Sequence, residues 1–254
     1  MSLVKELYEP YVLPARARIS TDPVMRRLVD PAIEPAVLER FFIQYHSFGV
    51  YMTEPVEGWI RRAGQRCLAL GLDSLGKGLL LHSKHESGHH QMMIDDVRML
   101  VRRWNIRRRS MLHTERLLAQ YPTDAMRAYR QLHESTIAGE LPAGQIAIEF
   151  EIENLSLVLG PHLLSNVARV LGRETLEGLS FLKEHVQLDV GHTALNTRLM
   201  NELLQLMPEN AQALAELGAR AIDIYLRFIG DCLHSAEVAM MWTPAPTTEA
   251  ALGA

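Results

Sequence analysis

Three residues in the second half of the chain, His185, Asp189 and His192, carry metal-binding side chains four and three positions apart. At about 100° per residue, an α-helix places them within an arc of about 60°, so that all three can point toward one spot. Imidazole and carboxylate groups are ligands for first-row metals such as iron, manganese and zinc. Exposed helix faces carry such residues without function, but the apolar residues around this triplet favour a metal site.

A second group of the same residue types lies in the run LLLHSKHESGHHQ. Glu86 and His89 are three residues apart, a spacing at which side chains on one helix converge. His82, Glu86, His89 and His90 spread over an arc of about 100°. One or two of these histidines are therefore predicted to support the ligands without binding metal themselves.

A third candidate segment, GQIAIEFEIENLSLVLGP, contains three glutamates among apolar residues. Glu149 and Glu153 share a helix face, whereas Glu151 points about 160° away from Glu153. A buried carboxylate needs a partner, because an unpaired charge is costly in the protein interior. Two partners stay open here, a metal ion bound between helices or an arginine such as Arg62 or Arg198.

The elements that must position these residues are predicted to be helices, because apolar residues recur with the helical period and alternating strand patterns are missing. This predicts an all-α bundle. Pro55 should kink or end the first helix. The predicted helical segments cover approximately 35–64, 74–105, 110–120, 123–138, 143–171, 174–206 and 209–240.

Length and composition favour one globular domain over residues 1–242, followed by a Pro-, Thr- and Ala-rich tail at 243–254 that we expect to be disordered. The net charge of −4 gives no general attraction to nucleic acid, and the basic run at 102–109 is interpreted as a solvated helix end. The sequence contains no apolar stretch long enough for a membrane span and no signal-peptide pattern. We therefore expect a cytoplasmic protein without membrane or nucleic-acid partners.

Three motifs together resemble one known family. The E-x-x-H of the second predicted segment, a buried glutamate in the fifth and the H-x-x-x-D-x-x-H of the sixth resemble the haem-oxygenase-like di-iron oxidases and oxygenases, which are relatives of the TenA and PqqC folds. The run FFIQYHSFGVYMTEPVEGWIRR is similar to the first core helix of that superfamily. The similarity covers most of the chain.

The resemblance implies a single-domain, seven-helix haem-oxygenase-like bundle that binds two iron ions, with manganese as the alternative metal, and uses O2 as co-substrate. His82, His90 and Tyr45 would be supporting residues. Members of the family often form homodimers, and an external electron donor is compatible with this chemistry. The implied ligands are Glu86, His89, Glu153, His185, Asp189 and His192, with Glu149 as the alternative to Glu153.

The resemblance also implies a reaction class, O2-dependent oxidation or oxygenation of a small carboxylate-bearing metabolite in a biosynthetic pathway. An amino acid or its derivative is the leading expectation, through N-oxygenation, desaturation or C–C cleavage, with an arginine pairing to the substrate carboxylate. One alternative is a fatty-acid decarboxylase that forms terminal alkenes. Another is a thiaminase-like enzyme, although neither Cys67 nor Cys232 is flanked by a recognisable base. The last is a non-catalytic helical protein.

Overall fold

The computed structural model describes residues 2–108 and 110–241, without the side chains of residues 187–192. Throughout these residues the regular structure is helical, which confirms the all-α fold class. A π-helical turn, Val4–Tyr8, precedes the first α-helix. The α-helices are α1 (Glu9–Thr21), α2 (Pro23–Val29), α3 (Pro35–Thr53), α4 (Val56–Ala69), α5 (Asp73–His85), α6 (His89–Arg107), α7 (Thr114–Leu118), α8 (Asp124–Ala138), α9 (Gln145–Val170), α10 (Ser180–Leu206) and α11 (Ala211–Met241).

The described ranges contain more separate helices than the seven segments predicted from periodicity. The first predicted segment divides at Pro55, which follows the end of α3 and lies at the N-terminal cap of α4, as its missing N–H requires. The second divides at Gly88, whose φ of 88° is a left-handed conformation that favours glycine. Helices α1 and α2 lie in a region for which the apolar pattern predicted no helix.

The centre of the bundle is built around α3, α9 and α11. Helix α3 is buried on every side from Ala36 to Gly49, and it packs against α6 and α11. Helix α9 packs against α10 and α11. A helix that is apolar on most of its circumference is stable only inside a protein, so these helices form the interior and the amphipathic ones surround them. None of the helices in the described ranges is both long and apolar enough to cross a membrane.

Glu151 ties the N-terminal segment to this interior. Its fully buried carboxylate accepts hydrogen bonds from Arg16 Nε at 2.8 Å and Nη2 at 2.7 Å, and from the Tyr8 hydroxyl at 2.9 Å. Because one guanidinium and one hydroxyl satisfy the carboxylate, the charge is tolerated in the core. The arginine alternative considered for this segment therefore applies to Glu151, with Arg16 as the partner.

Replacing Arg16 with alanine should destabilise the protein by about 3 kcal/mol, because Glu151 would be left as an uncompensated buried charge. Urea unfolding followed by circular dichroism measures the change. Arg18→Ala is the matched control on the same helix, since Arg18 pairs with Asp223 while both side chains are about half exposed. Arg18→Ala should lower the free energy of unfolding by no more than about 1 kcal/mol. Equal decreases in the two variants would contradict the role of burial.

Candidate metal centre

Glu86 and His89 lie on either side of a tight turn between α5 and α6. Glu86 caps the C-terminus of α5, and His89 is the first residue of α6. The prediction that both lie on one continuous helix is therefore wrong, because Gly88 ends the helical path between them. The turn still brings them together, and His89 Nδ1 lies 2.8 Å from Glu86 Oε2.

His82 approaches the same carboxylate from the last turn of α5. Its fully buried side chain places Nε2 3.0 Å from Glu153 Oε1 and 3.5 Å from Glu86 Oε1. Glu153 comes from α9 and is also buried. Sequence reasoning gave His82 only a supporting role. The one available signal was its position four residues before Glu86, because the contact with Glu153 depends on how α5 packs relative to α9.

The structure brings these side chains into two groups with potential ligand atoms within 4.8 Å of one another. Glu86, His89 and His185 form one group, and His82, Glu86 and Glu153 form the other. Glu86 belongs to both. A carboxylate shared by two sets of nitrogen and oxygen donors is the arrangement that a pair of bridged metal ions requires, so the residues present fit a dinuclear site.

His185 is held in place by the start of α10. Its Nδ1–H donates to the Phe181 carbonyl at 2.8 Å, and its ring lies against the Phe181 ring with a centroid distance of 3.9 Å. The backbone N–H groups of Ser180 and Phe181 in turn donate to the buried Asp96 carboxylate, both at 2.9 Å. The hydrogen bond at Nδ1 fixes the orientation of the imidazole, and Asp96 fixes the helix end that carries it.

The remaining predicted residues have different outcomes. The side chains of Asp189 and His192 lie outside the described residues. Glu149 belongs to neither group, and it accepts a hydrogen bond from Gln145 at 2.6 Å. His90, at the next position after His89, is also in neither group. Tyr45 lines an apolar cavity beside these groups, and its hydroxyl lies 2.8 Å from that of Tyr225.

The carboxylates and imidazoles change one another's protonation. Burial raises the pKa of Glu149 to about 8, and the nearby Glu86 and Glu153 act in the same direction. Burial alone would lower the pKa of His82, but the Glu153 and Glu86 carboxylates raise it to about 10. Burial would raise the pKa of Glu86, which His82 and His89 instead hold well below its usual range. The site therefore holds protons in places where a bound cation would displace them.

An apolar cavity of about 100 Å³ opens beside these residues. Glu86, Glu149, Glu153 and His185 are among its lining residues, and most of the remaining lining is aromatic or aliphatic. On α9 the lining continues from Glu153 to Leu163, which corresponds to about 15 Å along the helix axis. The described lining residues include no lysine or arginine.

Comparison with known proteins gives matches among solved structures. A domain of unknown function with a haem-oxygenase-like fold from Shewanella denitrificans superposes with a TM-score of 0.67 at 15% identity, covering 93% of this chain and 94% of that one. A TenA homologue from Pseudomonas syringae pv. tomato superposes with a TM-score of 0.68 at 16% identity, covering 92% and 93%. No family model and no curated protein matches the sequence. The haem-oxygenase-like fold expected from the motifs is thus confirmed.

The metal-free protein should become less stable as the pH rises from 6.5 to 8. Glu149 keeps a proton that the unfolded chain releases above pH 4.5, so its contribution is lost between pH 4.5 and about 8. His82 contributes fully below pH 6.5 and loses its contribution up to about pH 10. Thermal unfolding at the two pH values measures the fall in Tm.

Glu149→Gln serves as the control for this pH dependence. The variant cannot ionise at position 149, so its Tm should fall less than that of the parent over the same interval. Added Mn²⁺ should also weaken the dependence, because metal binding replaces the proton on His82. A metal-free parent whose Tm rose between pH 6.5 and 8 would contradict these assignments.

Proposed function

We propose that this protein, whose chain has the haem-oxygenase-like fold, is a non-haem di-iron enzyme that uses O2 to oxidise or oxygenate a small carboxylate-bearing metabolite. One observation carries the proposal: Glu86 is shared by two groups of histidine and carboxylate side chains, buried or partly buried, beside an apolar cavity. Buried acids and imidazoles at such distances are costly without a cation. A metal held by these groups would lie beside the cavity, where a substrate could reach it.

In this proposal His89 and His185 would hold one metal ion, His82 and Glu153 would hold the other, and Glu86, which belongs to both groups, would serve both ions. Asp189 and His192 stay predicted ligands on the strength of the sequence motif, because their side chains lie outside the described residues. Iron is proposed, with manganese as the alternative, because both accept imidazole and carboxylate ligands. When bound, the metal pair supplies the electrons that activate O2.

The cavity favours a substrate with an apolar body and one polar end. The arginine expected to pair with a substrate carboxylate is missing from the described lining. A carboxylate would therefore bind at the metal end, while the aromatic and aliphatic walls take up the remainder through burial of apolar surface. The polarity of this lining favours the fatty-acid decarboxylase alternative over a free amino acid, whose ammonium and carboxylate groups would both need partners. At about 100 Å³ the cavity must widen to take more than a short acyl chain.

A thiaminase-like activity has less support. Such an enzyme needs a cysteine nucleophile in its pocket, and the described cavity lining contains none. Both cysteines are buried elsewhere in the core, and burial raises the pKa of the Cys67 thiol to about 11. Burial also raises the pKa of the Cys232 thiol well above its usual range. Thiols in this state are poor nucleophiles.

Metal content tests the proposal directly. Protein reconstituted anaerobically with Fe²⁺ and desalted should retain close to two irons per chain, measured by inductively coupled plasma mass spectrometry. Glu86→Ala should lose most of both ions, because both depend on the bridging carboxylate. His82→Ala and His185→Ala should each retain about one iron, since each removes a ligand from one side.

His162→Ala is the control for these variants, because His162 is an exposed histidine on α9 that belongs to neither group. It should bind iron like the parent. If Glu86→Ala retained the parent's iron content with an unchanged circular dichroism spectrum, the bridging role and the di-iron proposal would both be wrong.

The substrate class is tested by O2 consumption of the iron-loaded protein with fatty acids of varied length and with free amino acids. Fatty acids should stimulate O2 uptake more. Leu163→Trp should shift the preferred fatty acid toward shorter chains without changing iron content, because it narrows the cavity at the end remote from Glu153. Val158→Trp, at a half-exposed position on the same helix, should leave the profile unchanged. Stronger stimulation by amino acids would favour the first substrate expectation instead.

A further inference from the structure

A row of contacting aromatic rings connects the cavity with the protein surface. Tyr129 lines the cavity, and its ring meets His133 edge-on with centroids 4.5 Å apart. His133 stacks on Trp59 at 4.1 Å and 6° between planes. Tyr129 and Trp59 also contact each other, with centroids 6.2 Å apart. These rings are all buried, so the row passes through the core without a gap.

The outer end of the row has a proton acceptor at the surface. The Trp59 Nε1–H donates to Glu134 Oε1 at 2.8 Å. Glu134 is held by two hydrogen bonds from Arg62, at 2.6 and 3.0 Å, and both side chains are nearly half exposed. A proton released by the indole therefore has a carboxylate to receive it and a route to solvent.

We propose that Trp59, His133 and Tyr129 form an escape route for oxidising equivalents that are generated in the cavity when no substrate is bound. The inference rests on the proposed function. Tyrosine and tryptophan are among the side chains most readily oxidised by loss of one electron and one proton, and electrons move efficiently between rings in van der Waals contact. The row protects the metal-binding residues because oxidation is moved to a site where solvent reductants can repair it.

The electron balance of the route is simple. An O2-derived oxidant in the cavity gains one electron, which passes from Trp59 through His133 and Tyr129. Trp59 becomes a neutral radical as its Nε1 proton moves to Glu134. A small thiolate at the surface then gives one electron to the indole radical and becomes a thiyl radical, while Glu134 returns the proton to the indole Nε1.

Oxidising equivalents move outward along the row, from the cavity to Trp59, for an energetic reason. Reduction of ferric ions occurs at potentials far too low to form tyrosine or tryptophan radicals as intermediates. Tyrosine and tryptophan would therefore not assist a path that delivers electrons to the resting ferric centre. A strong oxidant can draw electrons from them, and this is the condition that arises when O2 reacts and the cavity holds no substrate.

The chain offers a matched pair of tryptophans for the test. Trp59 and Trp104 are each 1% exposed, and each donates its Nε1–H, Trp104 to the Ser110 carbonyl. Only Trp59 of the two belongs to the row. Anaerobically iron-loaded protein is exposed to O2 without substrate and without reductant, and oxygen additions to each residue are quantified by peptide mass spectrometry, with bound iron and O2 uptake measured in the same samples.

We expect several-fold more oxidation at Trp59 than at Trp104, and glutathione should suppress it. Tyr129→Phe, which interrupts the row beside the cavity, should lower oxidation at Trp59, whereas Tyr51→Phe, at a partly buried tyrosine outside the row and the cavity lining, should not. Equal marking of the two tryptophans, or no marking of Trp59 in protein that binds iron and consumes O2, would overturn the escape route and leave the proposed function intact. Protein that binds no iron would overturn the proposed function and the route together.

Discussion

The energetic cost of placing several ionisable groups in a water-poor interior governs the structure around Glu86. His82, Glu86, Glu149 and Glu153 come from two helices and one turn and approach within interaction distance. Each acid would be stable in water, but in the core each must keep a proton or find a positive partner. Glu149 keeps its proton, while Glu86 and Glu153 face the imidazole of His82. The arrangement persists only because the helices that carry these residues are fixed by packing elsewhere.

Helix α9 shows how that fixation is achieved. Its two opposite faces carry acids with different partners, because Glu153 lies against His82 and Glu151 binds Arg16 and Tyr8 on the other side. Rotation of α9 would disturb both sets of contacts at once. Asn196 of α10 adds a further restraint by donating to Glu153 Oε2 at 2.7 Å. The salt bridge between Arg16 and Glu151 thus helps to fix the orientation of α9, and with it the position of Glu153, although the salt bridge lies outside the site.

Helical periodicity was sufficient to predict which residues share a face. It separated Glu151 from Glu149 and Glu153 correctly, and it identified Pro55 as the end of α3. It could not place the turn at Gly88, because a glycine inside an apolar pattern is compatible with either a continuous or a broken helix. It also missed α1. The buried face of this helix consists of Val12, Ala15 and Ile19, and Pro14 and the alternating arginines interrupt the apolar pattern around it.

The remaining features depend on distances between helices, which no local pattern contains. The contact between His82 and Glu153 joins residues far apart in the chain, so periodicity could suggest only that His82 lies near Glu86. The cavity is a volume that packing leaves unfilled, and its aromatic walls have the same sequence signature as ordinary core. The substrate expectation changed for this reason, because the charge of a pocket is known only when its walls are assembled.

The proposed site and the aromatic row have opposite relations to solvent. The apolar cavity would keep water away from a metal bound beside it and strengthen every electrostatic interaction within it. Under the proposed function, the same exclusion of water would prevent soluble reductants from reaching an oxidant that forms without substrate. Trp59 is buried, yet its hydrogen bond to Glu134 connects it to solvent, so the proposed route would exchange electrons without opening the cavity. Contacting aromatic rings can carry electrons through a helical core without loss of packing.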